Sequence, residues 1–289
     1  MSSEAGVPLA ANWIGSPLRG AFRLLSYLLL TLVLLPFHLL ALALRVTPVI
    51  RWLPVLYHRM VCVILGIKVK VNGERSTVTP TLFVCNHVSY LDIEVLGGLI
   101  PGCFVAKAEV ATWPFFSTLA KAQRTIFVER RSNKTSDSRD EMMKRLNTGE
   151  NLMLFPEGTS SDGTRVLPFR SALFGVAQLR RDDRPIVVQP VAIAYTRLDG
   201  IPLGRYWRPL FAWFGDLDLV PHLWQMVCLG ETEAVVTFFP PIDIERLGDR
   251  KKLAEYCFRQ VSAGVQAANS GRPELMPSLT EPVIAGPQP

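Results

Sequence analysis

Leu82-Phe83-Val84-Cys85-Asn86-His87-Val88-Ser89-Tyr90-Leu91-Asp92 opens on an apolar run of strand length and closes on residues that start a helix. The run 82–85 reads as a buried strand, and Ser89 followed three residues later by Asp92 resembles a helix-opening capping pair. A strand feeding a helix is the unit of an α/β layer structure, and polar residues at that junction sit where such folds place ligands. On one regular helix, positions five apart diverge by about 140°, so His87 and Asp92 meet only if His87 lies in the loop before a helix starting at Ser89. Asp92 then accepts a hydrogen bond from one ring nitrogen, fixes the tautomer and leaves the other nitrogen free to take a proton. This is the logic of a general base and its orienting carboxylate.

The same alternation continues outward from this junction. Residues 67–71, 104–106, 125–128, 151–155, 186–194 and 234–239 read as further strands, most of them rich in β-branched or aromatic residues. Helical stretches are expected at 91–99, 135–147, 172–181 and 247–267. The pattern predicts an α/β fold, a mostly parallel sheet flanked by helices, across residues 66–268. From 269 to 289 the chain is rich in proline and poor in large apolar residues, so a disordered tail is expected there. There is no internal repeat.

Before the α/β region, residues 24–44 carry no formal charge and are bracketed by Arg23 and Arg45. At about 1.5 Å per residue, a helix of that length just crosses a hydrocarbon core of about 30 Å. Pro36 and His38 interrupt the run, which leaves a span and a hairpin dipping into one leaflet both open. Residues 46–66 are apolar but carry Arg51, His58 and Arg59, as a helix lying in the interface would. A flexible N-terminus over residues 1–20 therefore precedes a membrane-associated helical segment over 21–65. A cleaved signal peptide fits poorly, because the apolar run is too long and more apolar sequence follows it. Arginine and lysine are commoner just after the run than before it, which predicts that the following domain lies on the cytoplasmic side of the membrane.

Composition agrees with membrane contact. Half the chain is hydrophobic (49%), and the mean hydropathy of +0.23 is high for a soluble protein. The net charge of +6 comes from basic residues scattered among acidic ones, which suits an anionic membrane surface and gives no groove for nucleic acid. Cys62, Cys85, Cys103, Cys228 and Cys257 form no C-x-x-C pair, and no spaced His/Cys set, G-x-G-x-x-G or P-loop occurs, so neither metal nor cofactor is expected.

A second constellation lies at Phe155-Pro156-Glu157-Gly158-Thr159-Ser160-Ser161-Asp162-Gly163, where a strand runs into a tight turn. Paired with Asn86-His87-x4-Asp92, the phrase Phe-Pro-Glu-Gly-Thr resembles the first and third blocks of the lysophospholipid acyltransferase family. Ile126-Phe127-Val128-Glu129-Arg130 resembles the second block and Val188-Gln189-Pro190-Val191 the fourth. The resemblance implies an O-acyltransferase in membrane lipid synthesis, with an acyl thioester of acyl carrier protein or coenzyme A as donor and a lysolipid as acceptor. It implies His87 and Asp92 as the catalytic pair. Arg130, Glu157, Gly158, Thr159, Ser160 and Lys107 would form the acceptor site, and Pro190 would lie toward the donor.

Two departures bear on the acceptor. Members that use lysophosphatidate often read Glu-Gly-Thr-Arg, whereas Ser160 stands here, and the second block lacks its usual glycine. The longer phrases Phe155 to Phe174 and Gln189 to Thr196 look more like the bacterial lyso-ornithine lipid acyltransferase subgroup, whose acceptor carries a free hydroxyl and an amino-acid head group. Synthesis of phosphatidate from 1-acylglycerol-3-phosphate is the alternative; a thioesterase and a non-catalytic membrane adaptor are more remote. No G-x-S-x-G elbow occurs, and neither Ser89 nor Cys85 has a motif that commits it as a nucleophile, so direct transfer without an acyl-enzyme is expected.

Overall fold

All seven strands expected from the alternation form, and one sheet collects them. The computed structural model describes residues 14–113, 115–128, 135–181 and 183–279. In chain order the main strands are β1 (Ile67–Asn72), β2 (Thr81–Cys85), β3 (Gly102–Lys107), β4 (Ile126–Val128), β5 (Asn151–Leu154), β8 (Val187–Leu198) and β10 (Thr232–Phe238). Short pieces β6 (Arg180–Arg181), β7 (Arg184–Pro185) and β9 (Ile201–Pro202) complete the set. The sheet order is β1-β10-β8-β2-β5-β3-β4, with β9 beside β8. Every pairing is parallel except β10 with β8 and β8 with β9, while β6 and β7 form a separate antiparallel pair.

The central strands are buried on both faces, which is why they read as unbroken apolar runs. Phe83, Cys85, Phe104 and Met153 point to one layer, and Leu82, Val84, Cys103, Leu152 and Leu154 to the other. Helices cover both layers: α3 (Leu91–Gly97), α4 (Phe116–Ala122), α5 (Thr135–Asn147), α6 (Leu219–Cys228), α7 (Ile244–Leu247) and α8 (Arg250–Ser270).

Two helices precede the sheet, α1 (Pro17–Ala43) and α2 (Thr47–Leu65), and both are long and apolar enough to cross a membrane. They form a hairpin that lies against the α/β domain along its length. Near its start, Ser16 N–H donates to the Cys228 carbonyl at 2.9 Å, and near its far end His38 Nε2 sits 3.0 Å from the Ala122 carbonyl. Helix α2 docks on α3, where His58 Nδ1 meets Glu94 Oε2 at 2.7 Å and the Arg59 side chain donates to the Gly98 carbonyl at 2.7 Å. The outward face is apolar: Leu18, Phe22, Leu32, Val33, Phe37 and Val63 are each more than half exposed. Gly66, at φ 71°, ends α2 in the left-handed conformation and turns the chain into β1.

Several expectations shift. The stretch 172–181 is a 3₁₀ helix, Ser171–Gln178, followed by β6. Helices α4 and α6 were not foreseen. Helix α1 begins at Pro17, inside the segment expected to be flexible. Residues expected to belong to a disordered tail instead complete α8 and form a 3₁₀ turn at Pro273–Leu275. Met276 and Leu279 then pack beside Phe239, Val261 and Val265. Apolar anchors at these two positions hold the described part of this segment, which runs to residue 279. Residues 280–289 lie outside the described part of the chain.

Candidate active site

The site forms at the carboxyl ends of β2 and β5, which are parallel neighbours in the middle of the sheet. Asn86 extends β2 by one rung with its side chain: its amide N–H donates to the Ile193 carbonyl and its oxygen accepts the Ile193 N–H, both at 2.9 Å. His87 is thereby delivered into the loop before α3, as the spacing requires. That helix starts at Leu91 rather than Ser89, because only half of the expected capping box forms. Asp92 reaches back to the Ser89 N–H at 3.0 Å, while the Ser89 hydroxyl makes no hydrogen bond within the described residues.

Asp92 is fully buried, and its two oxygens divide the labour. Oδ2 accepts from Val88 N–H at 2.7 Å and Ser89 N–H at 3.0 Å, and lies 2.8 Å from His87 Nδ1. An ionised carboxylate only accepts, so Nδ1 carries the proton and Nε2 is the basic nitrogen. Oδ1 accepts from the Tyr195 hydroxyl at 2.9 Å. Tyr195 comes from β8, two strand residues beyond the Asn86 clamp, and its ring stacks on Phe211 at 5.6 Å. The His87 ring in turn stacks on Phe155 at 4.2 Å with 20° between planes, so the imidazole is fixed from its face as well as from Nδ1.

Glu157 supports the loop from behind. Its carboxylate accepts His87 N–H at 2.7 Å through one oxygen and Leu167 N–H at 2.8 Å through the other, and only 2% of the residue is exposed. Burial pushes its carboxyl up to about 8, against the two backbone donors and despite their preference for the charged form. With one backbone donor on each oxygen and almost no exposed surface, Glu157 shapes the site from behind the loop. Gly158 has φ +68°, and the Arg170 guanidinium lies about 3.0 Å from where a β-carbon would stand. Arg170 is exposed, and it is a cation that the sequence reading did not single out.

The remaining candidates separate. Thr159 is half-buried beside this turn. The Ser160 hydroxyl donates to the Trp213 carbonyl, so it is already engaged. Pro190 is buried inside the sheet, opposite Val84 of β2, with its carbonyl accepting Phe239 N–H at 3.0 Å; it is far from being an edge residue. Lys107 ends β3, opposite Val128, and Arg130 lies outside the described residues. Cys85 is buried, and burial pushes its thiol well above the ordinary range, which removes it as a nucleophile. Among the described residues no cluster of His, Cys, Asp and Glu could hold a metal ion.

Between the helical hairpin and α3 and α4 lies an apolar cavity of about 160 Å³, with Leu34, Leu35, Ile93, Phe104, Phe116 and Leu119 among its walls. Tyr90, from the loop that carries His87, lines it as well, and Phe104 stacks on Phe155, the ring against which His87 lies. The His87 imidazole therefore stands one aromatic layer from an apolar slot.

Residues 68–194 match the family model described as Acyltransferase. The chain is 41% identical over 247 residues to the lyso-ornithine lipid O-acyltransferase of Rhizobium meliloti (strain 1021), covering 84% of this chain and 83% of the relative. It is 43% identical over 247 residues to the protein of that description from Brucella abortus (strain 2308), covering 84% and 92%. To the 1-acyl-sn-glycerol-3-phosphate acyltransferase of Neisseria gonorrhoeae it is 31% identical over 185 residues, covering 64% and 69%. The crystal structure of the 1-acyl-sn-glycerophosphate acyltransferase of Thermotoga maritima shares the fold, with a TM-score of 0.53 and 20% identity over 84% of this chain and 96% of that one.

Proposed function

We propose, from the premise that this chain belongs to the acyltransferase family, that it transfers a fatty acyl group from a thioester to the hydroxyl of lyso-ornithine lipid. The observation that carries the acceptor is the pattern of relatives: those named for lyso-ornithine lipid are 41% and 43% identical over most of the chain, against 31% over a shorter stretch for the glycerol-phosphate enzyme. Ser160 in place of an arginine favours the same reading, since a neutral hydroxyl bound to Trp213 offers no charged fork to a phosphate.

In this reading His87 Nε2 removes the acceptor's hydroxyl proton as the oxygen attacks the thioester carbonyl carbon. The tetrahedral intermediate collapses, the C–S bond breaks, and the imidazolium returns its proton to the leaving thiolate. General-base catalysis of this kind contributes about 10²- to 10⁴-fold. Asp92 stabilises the imidazolium that exists between the two proton transfers. Arg130 and Arg170 are the cations we assign to the ornithine carboxylate, Lys107 and Thr159 are further acceptor-binding residues in this assignment, and the apolar cavity takes an acyl chain. The donor is a thioester of acyl carrier protein or coenzyme A, delivered from the cytoplasmic side of the bacterial inner membrane. Because the hairpin is docked along the domain, it seats in one leaflet with its apolar face outward and does not cross the bilayer.

Incubation of the purified protein with each thioester and with lyso-ornithine lipid or lysophosphatidate, read by mass spectrometry, tests the proposal. Diacylated ornithine lipid is the expected product. A much higher kcat/KM for lysophosphatidate would overturn the acceptor, and free fatty acid alone would overturn the transfer.

A further inference from the structure

Helix α6 has two faces with different neighbours. Its sequence, Leu-Val-Pro-His-Leu-Trp-Gln-Met-Val-Cys, contains no charged residue. Val220 is 74% exposed and Trp224 44% exposed, one helical turn apart on the same face. His222 and Met226 are buried. The buried side meets the catalytic loop directly: His222 Nδ1 lies 3.0 Å from the hydroxyl of Tyr90, the residue before α3.

The exposed side continues the outward face of the hairpin. Trp224 packs over Gly20 of α1, where a β-carbon would come within 3.4 Å of its ring. Arg23 of α1 donates to the carbonyls of Val227, Leu229 and Gly230, so the end of α6 is fastened to α1 just beside exposed Phe22. A charge-free helix with an outward valine and tryptophan, joined edge to edge with an apolar hairpin, has the composition of an interfacial element. Tryptophan in particular favours the boundary between headgroups and hydrocarbon.

We infer that α6 is a third membrane-contacting element, remote in sequence from the hairpin, whose lipid-facing side bears Val220 and Trp224 and whose inner side bears His222 against the catalytic loop. The inference rests on the hairpin's being seated in a lipid leaflet. It places the loop carrying His87 one helix thickness from the bilayer surface, where an acceptor anchored by its own acyl chain presents its hydroxyl. Membrane contact and the loop are thereby joined through a single short helix.

The test uses the full chain with an environment-sensitive fluorophore on a single introduced thiol, since all five native cysteines are buried. Labels go on Val220→Cys, on Leu32→Cys in the hairpin, and on Arg259→Cys, an exposed position on α8. Vesicles of phosphatidylethanolamine and phosphatidylglycerol carrying doxyl-labelled lipid are then added. Quenching and a blue shift at positions 220 and 32, with neither at 259, is the expected result. Quenching at 32 with position 220 as bright as 259 would overturn the inference and leave the hairpin reading intact. Quenching at neither would overturn both. A second variant, Val220→Asp, should lose several-fold in kcat/KM for acceptor embedded in vesicles and little for acceptor dispersed in detergent. Equal rates on vesicles for this variant and the parent would likewise count against α6 as a membrane contact.

Discussion

Replacing Asp92 by asparagine removes one charge and almost no volume, and the geometry specifies how the new side chain must sit. Three N–H groups converge on the Oδ2 position, so the amide oxygen has to occupy it and the amide nitrogen must point to Tyr195. The tyrosine hydroxyl can rotate to accept, so the variant keeps every hydrogen bond and the Nδ1–H tautomer. What it loses is the attraction between carboxylate and imidazolium. At the 2.8 Å separation seen here, that attraction is about 6 kcal/mol with an effective dielectric constant of about 20. A neutral amide dipole retains part of it, leaving a loss of about 3–5 kcal/mol, or roughly 10²- to 10⁴-fold. The imidazolium exists only after the acceptor's proton has moved, so the loss should fall on kcat and leave KM for the acceptor nearly unchanged. Steady-state kinetics with one acyl donor, paired with a thermal unfolding scan, separates this from misfolding. A folded Asp92→Asn protein with kcat within threefold of the parent would refute the paired-residue mechanism.

Four further outcomes are expected. Tyr195→Phe keeps the ring on Phe211 but strips one donor from a buried carboxylate, a loss of about 1.5–3 kcal/mol in stability with a kcat decrease of about tenfold; unchanged melting temperature and unchanged kcat would show that the hydroxyl is idle. At pH 9, where a carboxyl raised to about 8 is ionised, Glu157→Gln sets an amide N–H against a backbone N–H at one of its two bonds, so the melting temperature should drop and kcat with it, by about 1–3 kcal/mol of stability; a melting curve matching the parent at that pH would contradict the strut role. Ser160→Arg exchanges the hydroxyl's bond to the Trp213 carbonyl for a charged fork, so it should lower kcat on both acceptors while raising the ratio of kcat/KM for lysophosphatidate over lyso-ornithine lipid about tenfold, and an unchanged ratio would mean that an arginine at position 160 does not reach the head group. Burial lowers the His222 imidazole from 6.5 to about 4, so the folded state holds it neutral. The sign is then fixed: stability is full above pH 6.5 and falls as pH drops toward 4, by roughly 3 kcal/mol over the window. Thermal scans of the parent and His222→Gln at pH 7 and pH 5 check this, and equal losses in both proteins would refute it.

The strands were legible because a parallel sheet covered on both faces leaves nothing but apolar residues in its central strands, as in Leu82 to Cys85 and Leu152 to Leu154. Helix α5 was legible at both ends. Helix α6 was not: a run without charge, carrying Pro221 and His222, gives no amphipathic period, because one of its faces is apolar toward protein and the other apolar toward solvent or lipid. The stretch after Arg170 has the composition of a helix but closes as 3₁₀ turns. Local propensity does not distinguish the two when packing against α8 decides the end. Likewise the tail was read from its prolines, whereas Met276 and Leu279 settle the position of its described part by contact with Phe239 and other residues far away in the chain.

The site divides along the same line. His87 and Asp92 were readable because their partnership is local, five residues apart across a loop and a helix start. Asn86, Glu157 and Tyr195 act at long range: the Asn86 clamp joins it to Ile193, Glu157 joins to His87, and Tyr195 of β8 reaches Asp92 at the start of α3. No spacing rule announces such contacts. They exist because β2 pairs with β8 on one side and β5 on the other, so the ends of those three strands meet at one point. A substitution such as serine for arginine at position 160 acquires its meaning only there. The Ser160 side chain turns toward the Trp213 carbonyl, while Trp213 N–H donates at 3.0 Å to the carbonyl of Val88, next to His87. Position 160 thus ties the loop after β5 to the loop before α6, and through Trp213 the same network reaches the loop before α3, so in this chain the position where an arginine would meet a phosphate joins three loops around His87.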